Sequence, residues 1–221
     1  MLRPTIESIE PRCDDAAGGR SLADLEAAVA QMFAMTREGL LDATRGLLTG
    51  DRETAARLLR HDTQLDSLCV AIEASAMAVL TSSPAPDSET IRFLVLLMQI
   101  APEIERSGDL AEHIAARASQ DLCTHLTSRG RFLVSEMGRV SAEMWHDAAV
   151  AYADRNGGAA ATLRRRDDEP DDLHVRLTEE VAAGGMSPAA AVELGLVARF
   201  LERLGDHAVN IVQRVHTAAS P

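Results

Sequence analysis

Aromatic residues are scarce in this chain: four Phe, one Trp and one Tyr among 221 residues. Gly and Pro are few and clustered, while Ala, Leu and Val dominate, a composition that favours helices packed through aliphatic side chains. The three cysteines, Cys13, Cys69 and Cys123, lie far apart, and no C-x-x-C pair exists. Neither a zinc ribbon nor a redox dithiol is indicated, and a reduced, intracellular setting is expected. Uninterrupted apolar runs are short, Phe93–Met98 for instance, against the roughly 20 residues a bilayer demands. The first 20 residues lack the apolar core of a signal peptide, so a cytoplasmic protein is expected, touching membrane only through partners. No Walker, G-x-S-x-G or Rossmann pattern occurs. Basic charge is also in deficit: 22 Lys plus Arg against 34 Asp plus Glu leave a formal net charge of −12. That argues against sequence-independent nucleic-acid binding and is compatible with holding cations.

The most informative feature present is a repeat. Glu105-Arg-Ser-Gly-Asp109 returns as Glu202-Arg-Leu-Gly-Asp206, each with an isoleucine five residues beyond the Asp. Residues 1–20, with two prolines and a Gly-Gly, are expected to form a loose arm. Beyond Ser21, a plausible N-cap, apolar positions recur at helical spacing from Leu22 to Leu47. A second helix is predicted over about 53–80, a turn over Thr81–Ser88, and a third helix over about 90–119. The pattern then restarts. A fourth helix is predicted over about 121–154, a fifth from beyond Gly158 to the Gly-Gly-Met-Ser-Pro segment, and a sixth over about 188–215, entered through Ser187 and Pro188. The fold class is therefore all-α: two tandem three-helix bundles, residues 21–119 and 120–221.

On helical wheels Glu105 and Asp109 fall opposite the apolar stripe of the third helix, and Glu202 and Asp206 opposite that of the sixth. One helix earlier in each repeat stands another acidic pair: Asp62 and Asp66 in the first, Asp167 and Asp171 in the second. All four pairs are spaced i, i+4, so each shares a face, where like charges repel unless a cation compensates. Hard cations take several carboxylate oxygens, and some transition metals accept them. A solvated or arginine-paired surface is the plain alternative for any single pair; four pairs at matching places favour cations.

Arg166–His174, Arg199–Ile211 and Gln99–Ala115 resemble the PhoU family, the phosphate-specific transport system accessory proteins, over about residues 21–217. The resemblance implies two tandem three-helix bundles that carry multinuclear iron or zinc clusters through E(D)-x-x-x-D motifs. The implied ligands are Asp62, Asp66, Glu105 and Asp109, then Asp167, Asp171, Glu202 and Asp206. It also implies a homodimeric, non-catalytic negative regulator of the phosphate-starvation response, set between the ATPase side of a phosphate ABC importer and a sensor histidine kinase. The sequence departs from the family pattern in places. Ala189–Ala191 replaces Asp-Leu-Arg in the sixth helix, and His113 stands where the second repeat has Asn210. Pro102 and Pro170 fall beside the acidic pairs, where each is expected to kink its helix.

Other features weigh less. Glu143 and His146 give one E-x-x-H, whereas di-iron bundle enzymes need two such motifs and two more Glu facing inward. His207 is a candidate support for Asp206 or an exposed imidazole. Arg164–Arg166 reads as a self-paired patch, and Trp145 and Phe200 as core. A carboxylate-bundle hydrolase or oxygenase, and a metal-free helical dimerisation module, remain the alternatives to the regulator.

Overall fold

The structure, a computed structural model, describes residues 21–155 and 158–219; the arm expected at 1–20 lies outside them. Among the described residues seven α-helices follow in order: α1 Leu22–Thr49, α2 Arg52–Leu80, α3 Ser88–Ala116, α4 Ser128–Ala153, α5 Ala159–Arg166, α6 Asp168–Ala182 and α7 Pro188–Ala219.

Local chemistry sets the ends. Ser21 and Asp24 form a capping box at α1, Ser21 Oγ accepting from the Asp24 amide and Asp24 from the Ser21 amide. Gly50, at φ 75°, closes α1 in the left-handed region that glycine enters without cost. Asp51 and Asp87 cap α2 and α3, and Ser187 Oγ accepts from Ala190 at the start of α7, with Pro188 at the first helical position as expected. Two helices depart from expectation. The stretch from residue 121 is not yet α4: two short 3-10 turns, Arg117–Gln120 and Leu122–His125, meet at Asp121, whose φ of 54° interrupts the helix, and α4 begins only where Thr127 caps it. The fifth helix is broken in two at Asp167. Pro170 lacks the N–H that would bond Arg166, so the continuous ladder fails there, and the proline sits in the first turn of α6, where no donor is needed. Pro102, by contrast, lies inside an α3 that runs on to Ala116.

The helices α1, α2 and α3 pack on one another, as do α4, α6 and α7, with α5 lying on α7. The two bundles meet where α1 lies against α4 and α3 against α7, and they share one aliphatic core. At the α1–α4 crossing Gly138 lets Thr44 approach so closely that a Cβ there would fall 2.5 Å from the Thr44 hydroxyl. Phe33 packs on Trp145 and Tyr152, and the fully buried Trp145 donates Nε1–H to the Leu204 carbonyl at 2.9 Å. Phe200, expected in the core, is only partly buried; it sits beneath Arg117, 5.0 Å from its ring centre.

By length and composition α2 is apolar enough to cross a bilayer, which short apolar runs did not suggest. Here it buries Leu58, Leu65, Cys69, Ile72 and Ala76 in its bundle and carries Asp62 and Asp66.

Candidate metal centres

The eight predicted carboxylates gather as two matching sets. In the first repeat α2 runs antiparallel to α3, and the close approach of the two helices depends on Gly108: a Cβ there would fall 2.4 Å from Leu65 Cδ1 and 3.6 Å from Asp62 Oδ1. The motif glycine thus draws the aspartate-bearing helix onto the Glu-Arg-x-Gly-Asp helix. Across this seam Asp62 meets Asp109, and Asp66 meets Glu105. Burial, then a proton shared with Asp109, and the charges of Asp109, Asp66 and Glu112 push the Asp62 carboxyl up to about 7. Without that proton, Asp62 Oδ1 is buried with no hydrogen-bond partner. The Glu105 carboxyl is raised too, by burial and by Asp109 and Asp66.

The second seam repeats this register between α6 and α7. Gly205 again faces the acidic helix, a Cβ there lying 3.4 Å from both Pro170 and Met144. The break at Asp167 leaves its carboxylate uncommitted to capping. Burial and the charges of Asp206, Asp171 and Asp168 raise that carboxyl to about 6. Glu202 is only 8% exposed; Arg199 holds one of its oxygens, and the other, Oε2, is buried without a partner. Burial and neighbouring acids raise Glu202 and Asp206 alike, in spite of Arg199.

Two expectations need correction here. The carboxylates do not stand on outward ridges: Asp66 and Asp171 are exposed, but Asp62, Glu105, Asp109, Asp167 and Asp206 are half-buried, and Glu202 is buried. A helix in a bundle has neighbours on more than one side, so the face opposite the shared core is covered by α2 or α6. Nor does Pro102 carry α3 away from α2, since Asp62 still reaches Asp109.

The donors suit a cation. Each seam crowds carboxylates, burial and then mutual repulsion raising the pKa of Asp62 and Glu105 in one and of Asp167, Glu202 and Asp206 in the other, and each holds one buried oxygen that finds no partner. Oxygen-only sets of this kind suit hard cations and are accepted by iron and zinc. Among the described residues no three His, Cys, Asp or Glu side chains already form a coordination cage. A cation would therefore have to draw the side chains together.

Wheels alone missed Arg199 and Glu112, which share these seams, and of the two readings of His207 it is the exposed imidazole that fails. That ring is 7% exposed and belongs to the junction of α3 with α7. Ser107 donates its hydroxyl proton to the Glu103 carbonyl at 2.7 Å, so at 2.8 Å it accepts from His207 Nδ1–H; Nε2 faces Glu103 Oε1 at 3.8 Å. Burial holds the His207 pKa below its ordinary value. This Ser-His-Glu arrangement is no nucleophile, because Ser107 is fully buried and its proton is already given to the backbone. Glu143 of the E-x-x-H is likewise committed, to Arg139 and Arg166. The arginine run is paired: Arg164 with Gln213, Arg165 with Thr162, Arg166 with Asp147 and Glu143. A cavity of about 1290 Å³ lies elsewhere, between α1, α3, α4 and the end of α7, and none of the eight carboxylates lines it.

Comparison with known proteins points one way. A family model of the PhoU domain matches the chain twice, over residues 29–118 and 134–215. A Mycobacterium tuberculosis protein, phosphate-specific transport system accessory protein PhoU homolog 2, is 32% identical over 200 residues, covering 88% of this chain and 92% of its own. A PhoU homolog of Zymomonas mobilis is 29% identical over 203 residues, covering 90% of this chain and 85% of its own. The fold matches the crystal structure of PhoU from Pseudomonas aeruginosa with a TM-score of 0.81 at 24% identity, over 89% of this chain and 96% of that one. With its twice-occurring domain, its relatives and its fold in agreement, the chain belongs to the PhoU family.

Proposed function

We propose that this protein is a cation-dependent regulator of phosphate uptake and of phosphate-starvation signalling, acting by docking rather than by catalysis. Its partners on this reading are the ATPase subunit of a phosphate ABC importer and a phosphate-sensing histidine kinase, and it works as a homodimer at the cytoplasmic side of the membrane. Its relatives' names, accessory proteins of a phosphate-specific transport system, support the first partner. The observation that carries the cation is the pair of matched acidic seams, each with a buried oxygen lacking a partner. Iron or zinc would be held by Asp62, Asp66, Glu105 and Asp109 in one seam, and by Asp167, Asp171, Glu202 and Asp206 in the other. The bound metal supplies positive charge that ties α2 to α3 and α6 to α7. A partner that prefers the tied form is then favoured by differential binding.

The test is elemental analysis and thermal melting of Glu202→Ala/Asp206→Ala. The variant should hold less iron or zinc than the wild type and lose part of the metal-induced rise in melting temperature. Unchanged metal content would remove the assignment and favour a metal-free helical dimerisation module. Pull-down from phosphate-replete cells tests the partners separately.

A further inference from the structure

The two seams match in acids but not in cations. Three residues ahead of the motif glutamate, the second repeat carries Arg199 and the first carries Pro102. Arg199 pairs through Nη1 with Glu202 Oε1, and its charge also eases Asp206. The next motif arginines, Arg106 and Arg203, occupy equivalent positions, but Arg106 turns back along α3 to Glu103 at 3.5 Å. Asp62 and its counterpart Asp167 are alike, each surrounded by acids. The seams differ at the motif glutamate, for Glu202 is ion-paired to Arg199, whereas Arg106, whose charge eases Glu105, pairs with Glu103 instead. The second seam thus holds a counter-cation of its own, while the first has none at that place. Proline there cannot supply one.

Resting on the reading that the seams hold cations, we infer that Arg199 is an internal stand-in for metal, so that the two seams fill in order, the first repeat before the second. To load the second seam, a metal must displace the guanidinium from a glutamate that is 8% exposed; the first seam asks for no such exchange. Breaking one charged hydrogen bond lowers a binding constant by about tenfold or more, so the two loading steps should be at least that far apart. The arrangement gives a graded device: one site occupied at low free metal, the second only when metal rises.

Equilibrium dialysis of the chelator-stripped full chain against zinc, followed by elemental analysis, tests this. The wild type should load in two steps about tenfold or more apart. Asp109→Asn should remove the tight step and Asp206→Asn the weak one. Arg199→Gln should bring the weak step up toward the tight one, and Arg199→Lys, which keeps the charge, should leave it weak. Reciprocally, Pro102→Arg should weaken the tight step. Circular dichroism confirms that each variant keeps its helices. Zinc bound at both seams in one unresolved step, or a tight step lost in Asp206→Asn and kept in Asp109→Asn, overturns the order of filling and leaves the cation reading intact. Zinc uptake unchanged in both Asp→Asn variants overturns both.

Discussion

Asp62 carries the sharpest consequence at the scale of single residues. Its folded-state carboxyl titrates at about 7, well above the usual carboxylate range, because it is buried among other acids. The folded protein therefore binds a proton there that the unfolded chain releases near pH 4. Stability from this group is present at low pH and is lost as pH rises from about 4 to about 7; Asp167, raised to about 6, adds to the fall over the lower part of that range. Chelator-stripped protein should thus melt at a higher temperature at pH 5.5 than at pH 8, a difference that added zinc should shrink; melting curves across pH with and without zinc measure it. Asp62→Asn should act with opposite signs in two assays: raising the pH 8 melting temperature of the stripped protein and lowering its metal capacity. The residue types and spacings here were legible in the sequence, because i, i+4 carboxylates advertise themselves. Their burial was not. A wheel shows which side of one helix a residue occupies and is silent about the neighbour that covers that side.

The helices explain why the motif needs its glycine. In the first repeat a Cβ at 108 would press on Leu65, itself only 2% exposed, at 2.4 Å. Gly108→Ala should therefore cost about 1–3 kcal/mol by overpacking and spread α2 from α3, weakening metal retention at the first seam. At 205 the contacts, at 3.4 Å, are ordinary. Gly205→Ala should fall within about 1 kcal/mol of wild type, since the helix propensity gained offsets the tighter contact. Chemical denaturation of the two variants measures the contrast; equal destabilisation would mean that the helix approach does not hinge on position 108. The same scale shows what the sequence made legible and what it hid. Helix order and the N-caps Ser21 and Ser187 were visible; six helices were expected where seven stand among the described residues, because the fifth is broken. Pro170 was seen as a disruption, and it is one, displaced to Asp167 because the missing donor acts four residues upstream. The late start of α4 was hidden, since Asp121 takes a left-handed conformation that its residue type permits but does not announce.

Across the whole molecule the repeat gives one continuous core and two acidic seams, bridged by the α1–α4 and α3–α7 contacts. Trp145, the one tryptophan, is fully buried and hydrogen-bonded to Leu204 in α7, so its fluorescence reports on the second bundle and its junction with α1. Metal that binds only the folded form stabilises it by mass action, by about 2.7 kcal/mol when free metal is 100 times Kd. Tryptophan-monitored unfolding should accordingly shift with zinc concentration in the wild type and shift less in Asp109→Asn/Asp206→Asn. The duplication was legible from two short motifs, whereas the Ser107–His207–Glu103 junction was not, because its partners lie in different repeats and carry no pattern of their own. Whether cations seat between α2 and α3 and between α6 and α7 can be read most directly from an anomalous-difference map of crystals grown with zinc. A peak is expected beside Asp62, Asp66, Glu105 and Asp109, and at higher zinc a second beside Asp167, Asp171, Glu202 and Asp206; zinc-replete crystals with no peak in either seam would contradict that seating.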